Sequence, residues 1–357
     1  MKTRLIYLGT RGGGAEIFRE LRLAGRELQE IEEFQFVRSD GLELNDTDHP
    51  ISGSDIILPS LQTVRIKPWH IIKFIFRTIK LIKNDNKATN IFLMPSPLDH
   101  IAFNLFKFYK QKCFFLIHDA TPHPGEIWPK KSSIQWRLSK ADGLIFLSDF
   151  VFQNVKERMR TNNYKIASHP PFSSFTKYFD ETIRGVDCNP KLPTMLFVGR
   201  IRKYKGLEIL AEHKTQIQEK FQLVLAGEGP LPDGLEGVET INRWLTEIEI
   251  RDLISQADIM IFPYTEASQS GVIPSAIALG KRLIVSEVGG LAEQIKNYSR
   301  AQTFNPDRPE TLLVALERSF RELKEVDPFQ EYNDQSDQTT FSELLRQILE
   351  VSRNQLT

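Results

Sequence analysis

The chain has 357 residues, 46 Lys and Arg balanced by 46 Asp and Glu, 41% hydrophobic residues and two cysteines. That length suits about two domains with ample core, and the composition is that of an ordinary globular protein. Cys113 and Cys188 are too few and too far apart for a disulfide framework or a zinc knuckle, so a reducing, cytoplasmic compartment is expected. No run of about 20 apolar residues predicts a membrane helix. The first residues enter a strand pattern directly, so no signal peptide is expected.

Charge is shared unevenly. Residues 1–172 hold 25 Lys and Arg against 18 Asp and Glu, and the remainder 21 against 28. A basic first half suits an anionic surface or acceptor on one side. No basic-aromatic nucleic-acid module accompanies it, so nucleic acid is not an expected partner.

Residues 5–8 form a first apolar strand. Gly9-Thr10-Arg11-Gly12-Gly13-Gly14 follows, then an amphipathic helix from residue 15 to about 30. Glycines between strand and helix let backbone approach a ligand and leave helix N–H groups to meet an anion. Gly12, Gly13 and Gly14 are therefore candidate contacts. Their spacing is not G-x-G-x-x-G, which argues against a nicotinamide dinucleotide.

Strands are predicted at 34–37, 56–58 and 91–94. The segment 65–83 between the last two carries six Lys and Arg and no acid. Pro68 suits a first helical turn. Ile71, Ile75, Ile79 and Ile82 form one stripe, and Lys73, Arg77 and Lys80 another. Two readings stay open. One is a sheet-packing helix with a solvated basic face. The other is attachment to anionic lipid, with Phe74 and Phe76 as apolar anchors and about 1 kcal/mol from each basic residue near the surface. Residues 105–112 repeat the mixture.

Residues 114–117 are a buried strand with His118 at its end. Open parallel sheets bind ligands at the carboxyl ends of their strands, which makes His118 a candidate site residue. His123 and Glu126 follow as weaker acceptor candidates. No third ligand stands near His118 and His123, so no zinc site is expected. Ser148 after the strand at 143–147 reads as a helix cap rather than a nucleophile, because no Gly-x-Ser-x-Gly surrounds it. His169-Pro170-Pro171 interrupts regular structure, and a domain boundary is expected within about 170–190.

A strand at 195–198 opens the second half and leads into Gly199-Arg200, then Lys205-Gly206. Arg200 with its fork and Lys205 as a point charge can converge on a diphosphate. Strands at 222–226 and 238–241 follow, with Arg243 and Trp244 just beyond the second. A helix at 247–256 precedes a strand at 259–262. A small-residue loop then meets a helix at 272–279, which Gly280 closes. Strand, loop and helix start make an anion cradle at 268–272, with N–H groups around Ser270, Gly271 and Val272. A strand at 283–285, Gly289-Gly290, and helices at 309–325 and 341–351 complete the chain.

This order resembles glycosyltransferase family four, retaining enzymes with the two-domain GT-B fold. Ser275-Ala276-Ile277-Ala278-Leu279-Gly280 and Gly289-Gly290-Leu291-Ala292-Glu293 fit the end of its C-terminal pattern. Val198-Gly199-Arg200, four residues, then Lys205-Gly206 resembles its diphosphate clamp. The glycines at 12–14 resemble its N-terminal loop, and His118-Asp119 its strand-end histidine near the transferred sugar. The two glutamates of the pattern are missing. Ser275 stands at the second, which usually holds the donor ribose. Ala267 stands at the first, with Glu266 one place early. The Ser-Gln-Ser-Gly-Val-Ile-Pro version is similar to a known subgroup.

The resemblance implies an α/β protein of the GT-B class: two Rossmann-like domains, a cleft between them, and a C-terminal helix crossing back. Residues 1–172, with a helix at about 341–355, would bind acceptor, and 190–330 the donor. The implied reaction is metal-independent, retaining transfer from a UDP- or GDP-sugar to a glycan or lipid-linked saccharide, in cell-surface polysaccharide synthesis. His118, Glu266, Arg200 and Lys205 would carry the chemistry. Gly12, Gly13, Gly14, Gly199, Arg243, Ser270, Gly271, Val272 and Ser275 would hold the donor. No cofactor or metal is implied. The protein would be cytoplasmic, peripheral at the inner face of the membrane through 65–83. The missing glutamates leave a non-catalytic sugar-nucleotide or glycan-binding protein as an alternative, beside a GT-B epimerase or phosphorylase.

Overall fold

The computed structural model describes residues 2–10, 13–28, 33–42, 55–60, 68–122, 129–172, 192–325 and 340–353. They fall into two compact units, one running to Ser168 and regaining the chain at Thr340, the other starting at His169.

The first unit is a seven-stranded parallel sheet. Its strands are β1 (Lys2–Tyr7), β2 (Glu33–Ser39), β3 (Ile56–Leu58), β4 (Thr89–Phe92), β5 (Cys113–Ile117), β6 (Gly143–Phe146) and β7 (Tyr164–Ile166), in the order β3-β2-β1-β4-β5-β6-β7. Its helices are α1 (Gly13–Glu27), α2 (Pro68–Asn84), α3 (Asp99–Phe108), α4 (Lys131–Lys140) and α5 (Asp149–Val155). Phe74 and Ile82 of α2, Phe103 and Phe106 of α3, Leu138 of α4 and Val151 of α5 share one core with Ile6, Phe92, Phe115 and Phe146 of the sheet. The strands are apolar runs because a parallel sheet covered by helices has no solvent face to alternate with. Ser148 caps α5 by accepting the Val151 N–H at 3.1 Å.

Strand β4 lies two residues earlier than its apolar run implies. Leu93 still donates its N–H to the Ile6 carbonyl at 3.0 Å, and Met94 then leaves toward Pro95, which cannot donate to a ladder. The inward face of α2 is also turned from the isoleucine stripe. Phe74, Thr78, Leu81 and Ile82 are buried, while Ile71, Ile75 and Ile79 are only half-buried. Burying the Phe74 ring rather than an isoleucine turns the helix by one position, and Phe74 cannot anchor a lipid. The basic stripe Lys73, Arg77 and Lys80 is exposed.

At the amino edge of this sheet Arg4 is fully buried. It donates to Gln35, Asn90 and Gln111 side chains and to the Leu81 and Asp85 carbonyls, all within 2.9–3.2 Å. Those bonds satisfy a guanidinium whose desolvation lowers its pKa to about 10.

The second unit has six parallel strands, β8 (Thr194–Val198), β9 (Gln222–Ala226), β10 (Glu239–Ile241), β11 (Ile259–Phe262), β12 (Arg282–Ser286) and β13 (Ala301–Phe304), in the order β10-β9-β8-β11-β12-β13. Between them run α6 (Leu207–Glu212), α7 (Lys214–Gln218), α8 (Glu247–Gln256), α9 (Ile273–Ala278) and α10 (Leu291–Gln294), and α11 (Thr311–Glu325) follows β13. Thr246 and Glu249 form a reciprocal capping box on α8. The last helix, α12 (Phe341–Arg353), lies with the first unit. It packs on α1 and β6, and Asn163 Nδ2 donates to the Val351 carbonyl at 3.2 Å.

Each sheet winds outward in one direction, then returns to the other side of its first strand. The order reverses between β1 and β4, and again between β8 and β11. Loops leaving the carboxyl ends of such a pair diverge and open a crevice.

Candidate functional site

In the second unit the diverging loops are Gly199–Gly206, after β8, and Pro263–Val272, after β11. Both are built on close backbone approach. The Gly199 N–H donates to the Ala226 carbonyl and that of Ile201 to the Glu228 carbonyl, both at 2.9 Å. Gly199 itself has φ +139°, and a Cβ on Gly227 would collide with its carbonyl oxygen. On the other side the Thr265 N–H donates to the Tyr204 carbonyl at 2.9 Å. The basic loop is thus sewn to both neighbouring loops, and its cations are carried at the switch point.

Arg200 projects from this loop as an exposed side chain, and Lys205 is half-buried. The Lys205 ammonium lies 3.7 Å from the centre of the Tyr264 ring and 5.0 Å from that of Tyr204. Tyr264 is fully buried, which raises its phenol pKa well above the usual range. Its hydroxyl is 3.1 Å from Ser270 Oγ. Ser286 Oγ donates to its carbonyl at 2.6 Å. One aromatic side chain therefore joins the cation of the β8 loop to the small-residue loop after β11.

That small-residue loop holds its own amides. The Ser270 N–H donates to Gln294 Oε1 at 2.8 Å, and Gln294 Nε2 donates back to the Ser270 carbonyl at 3.0 Å. The Val272 N–H reaches Ser270 Oγ at 3.3 Å. Two of the three amides expected to receive an anion are thus engaged by the protein. Gly271 is different. It is exposed, has no left-handed φ, and a Cβ on it would meet nothing within 4 Å among the described residues. Neither backbone conformation nor packing requires glycine there, which leaves close approach of something else to the chain.

The other residues singled out in this unit are dispersed. Ser275 is buried within α9, and Glu266 is exposed on the loop after β11. Arg243 is exposed after β10, and its guanidinium is 2.6 Å from Glu249 Oε1. Tyr264 and Gln294 were not foreseen. Tyr264 follows Pro263 at a strand end and Gln294 follows the Gly-Gly-x-x-Glu run, but only the folded loop shows what each one touches.

In the first unit the loop after β1 is tied down at two carbonyls. Ser39 Oγ donates to Gly9 O at 2.9 Å and Ser96 Oγ to Leu8 O at 3.2 Å. The loop holding Ser96 is fixed in turn, because Asp99 Oδ2 accepts both the Ser96 N–H and Arg137 Nη2 at 2.8 Å. Gly13 begins α1. A Cβ on Gly14 would stand 2.8 Å from the Tyr7 ring and 2.9 Å from Met94 Cγ, so packing alone accounts for that glycine. His118 leaves β5 largely buried, with Nδ1 3.5 Å from Asp119 Oδ1. Gly12, His123 and Glu126 lie outside the described residues. Among the described residues no three His, Cys, Asp or Glu side chains gather as a metal site needs.

Residues 192–322 match the family model for glycosyl transferases group 1. Over 145 residues the chain is 31% identical to the glycosyltransferase MJ1607 of Methanocaldococcus jannaschii, which covers 38% of this chain and 37% of that protein. The chain therefore spans little more than a third of the length of that curated relative. Among solved structures, a glycosyltransferase from Rickettsia africae aligns over 100% of this chain and 98% of its own, at TM-score 0.68 and 14% identity. Anabaena HepE, solved with UDP and glucose, aligns over 99% of both chains, at TM-score 0.67 and 12% identity. Likeness at such identity speaks for architecture alone. Two parallel α/β units whose last helix returns to the first are the GT-B fold, and the segment of this chain that carries the switch-point loops matches the group 1 glycosyl transferases.

Proposed function

We propose that the protein is a glycosyltransferase that moves a sugar from a nucleoside diphosphate sugar to a glycan or lipid-linked saccharide, with retention. The observation that carries this reading is Gly271, a glycine that nothing among the described residues explains by fold or packing, on a loop joined through Tyr264 to Lys205. Bare backbone and cations at a switch point suit a diphosphate. The bond from the anomeric carbon to the diphosphate oxygen breaks, and a bond to the acceptor oxygen forms on the same face. The acceptor proton leaves with the departing nucleoside diphosphate. Arg200 and Lys205 stabilise the charge that grows on that leaving group.

We assign Glu266 to the sugar hydroxyls and Arg243 to the nucleotide base. Ser275 lies too deep to replace the missing glutamate. The first unit takes the acceptor. Its helix α2 presents Trp69, Ile72 and Phe76, between 56% and 69% exposed, among Lys73, Arg77 and Lys80. Interfacial aromatics among cations suit an anionic membrane surface, where a lipid-linked acceptor resides. No helix among the described residues is long and apolar enough to cross a membrane.

The test is incubation with UDP- and GDP-sugars, with and without saccharide acceptors, while nucleoside diphosphate release and the sugar product are followed. Acceptor-dependent release supports transfer. An altered free sugar without acceptor identifies an epimerase. Binding without release identifies a non-catalytic module.

A further inference from the structure

The cation of the loop after β8 is seated on an aromatic ring. The Lys205 ammonium sits 3.7 Å over Tyr264 and 5.0 Å from Tyr204, and the two rings meet edge to face at 85°. Tyr264 is in turn fixed on every side. Its ring packs edge-on against Phe262 at 6.0 Å, its carbonyl accepts from Ser286, and its hydroxyl meets Ser270. Ser270 is held by both ends of Gln294. The ring face is therefore a rigid plate, and the ammonium on it rests at a defined height beside Gly271's loop.

We propose that Tyr264 is a positioning residue of the donor site, a rest for Lys205 that also sets the Ser270–Val272 loop, so that cation and backbone meet the diphosphate as one preformed unit. The inference deepens the reading of this site as a diphosphate site and rests on it. The ring attracts the ammonium from one side through its quadrupole. A lysine already held loses less side-chain freedom when an anion arrives. The hydroxyl does the second task. It engages the Ser270 oxygen that receives the Val272 N–H, and so fixes the turn that presents Gly271. The two tasks belong to different parts of one side chain and can be removed separately.

The experiment is a double-mutant cycle on the full chain, read by calorimetric titration with UDP and GDP and by donor turnover. The variants are Tyr264→Leu, Tyr264→Phe, Lys205→Ala and Lys205→Ala combined with Tyr264→Leu. Thermal unfolding of each checks folding. Wild-type protein that binds neither nucleotide defeats the diphosphate reading itself and the proposal with it. With binding present, Tyr264→Leu is expected to weaken it about tenfold in the wild-type background and less than twofold when Lys205 is already alanine, a coupling that a merely structural residue does not produce. Tyr264→Phe keeps the ring. It is expected to keep nucleotide affinity within about threefold while lowering turnover, through the loosened Ser270 loop. Equal losses from Tyr264→Leu in both backgrounds overturn the proposal. If Tyr264→Leu does not fold, Tyr264→Phe and Tyr264→Trp decide: both keep an aromatic face and must keep affinity, and a loss as large as that of Lys205→Ala overturns it.

Discussion

Gly206 lies directly under Pro263. A Cβ on it would collide with the Pro263 carbonyl oxygen, and its φ of +66° is left-handed. Sterics and backbone conformation both exclude a side chain, because Gly206 lets the start of α6 pass beneath the loop leaving β11. Gly206→Ala is expected to destabilise the second unit by on the order of 3 kcal/mol, combining a left-handed alanine with a forced backbone shift. Chemical denaturation of the variant checks this, and a cost under about 0.5 kcal/mol contradicts the geometry.

Gly271 is the converse case. Alanine there meets open space and an ordinary φ, so Gly271→Ala is expected to leave the melting temperature within about 2 °C of wild type, the shift of a change costing less than about 0.5 kcal/mol. Donor turnover is expected to fall at least tenfold, because the added methyl occupies the approach to the diphosphate. Unfolding scans and turnover on the same preparation separate the two effects. Unchanged turnover removes the observation on which the functional reading rests.

Helix α2 carries exposed Trp69, Ile72 and Phe76 among exposed cations, and Phe108, the last residue of α3, is 80% exposed. Lys110 holds the turn after α3 with φ +59°, a position where glycine is usual, and so keeps another cation beside Phe108. The combined change Trp69→Ser and Phe76→Ser is expected to reduce co-sedimentation with vesicles containing anionic phosphatidylglycerol more than fivefold. Neutral phosphatidylcholine vesicles should bind wild type weakly, and salt should release it. Wild-type protein that ignores both vesicle types contradicts the membrane reading.

Burial lowers the Lys281 ammonium to about 8, with Asp258 opposing that shift and Arg300 adding to it. Its Nζ donates to the Ser255 carbonyl at 2.6 Å. A free lysine titrates near about 10.4. Between those values the unfolded chain binds a proton that the folded chain does not, so Lys281's contribution to stability rises as pH rises through this window. Below it the cost of the buried charge is present in full. Lys281→Met removes this dependence. The stability of wild type relative to that variant is expected to rise by on the order of 2 kcal/mol from pH 7 to pH 10.5. A constant difference contradicts the burial of this charge.

Most strands of the two sheets, though not β7 or β13, were legible because parallel strands covered by helices are continuous apolar runs. Residues 114–117, 195–198 and 259–262 announce themselves in that way. The basic loop from Gly199 to Gly206 was legible as a motif, but its place at a switch point emerges only from the strand order β9-β8-β11. What sequence could not give was orientation around a helix or across a loop. In α2 the isoleucines and phenylalanines offer competing stripes of similar hydropathy, and only the volume under the helix selects Phe74. Strand β13 and helix α4 are short, with half-polar faces, and give no clear period. The links from Lys205 to Tyr264 and from Ser270 to Gln294 join residues 59 and 24 positions apart. No local pattern records such pairs. Glycines were legible only as glycines. The fold divides them into Gly206, needed by backbone and neighbours, Gly14, needed by neighbours alone, and Gly271, needed by neither.

The central claim is that a diphosphate is held by the loops after β8 and β11. Calorimetric titration of UDP and GDP into wild type and into the Arg200→Ala, Lys205→Ala double variant tests it most directly. The account predicts that one of the nucleotides binds wild type and that the variant, folded and with an unchanged melting temperature, binds it at least a hundredfold more weakly. Equal affinity in the two proteins would contradict it.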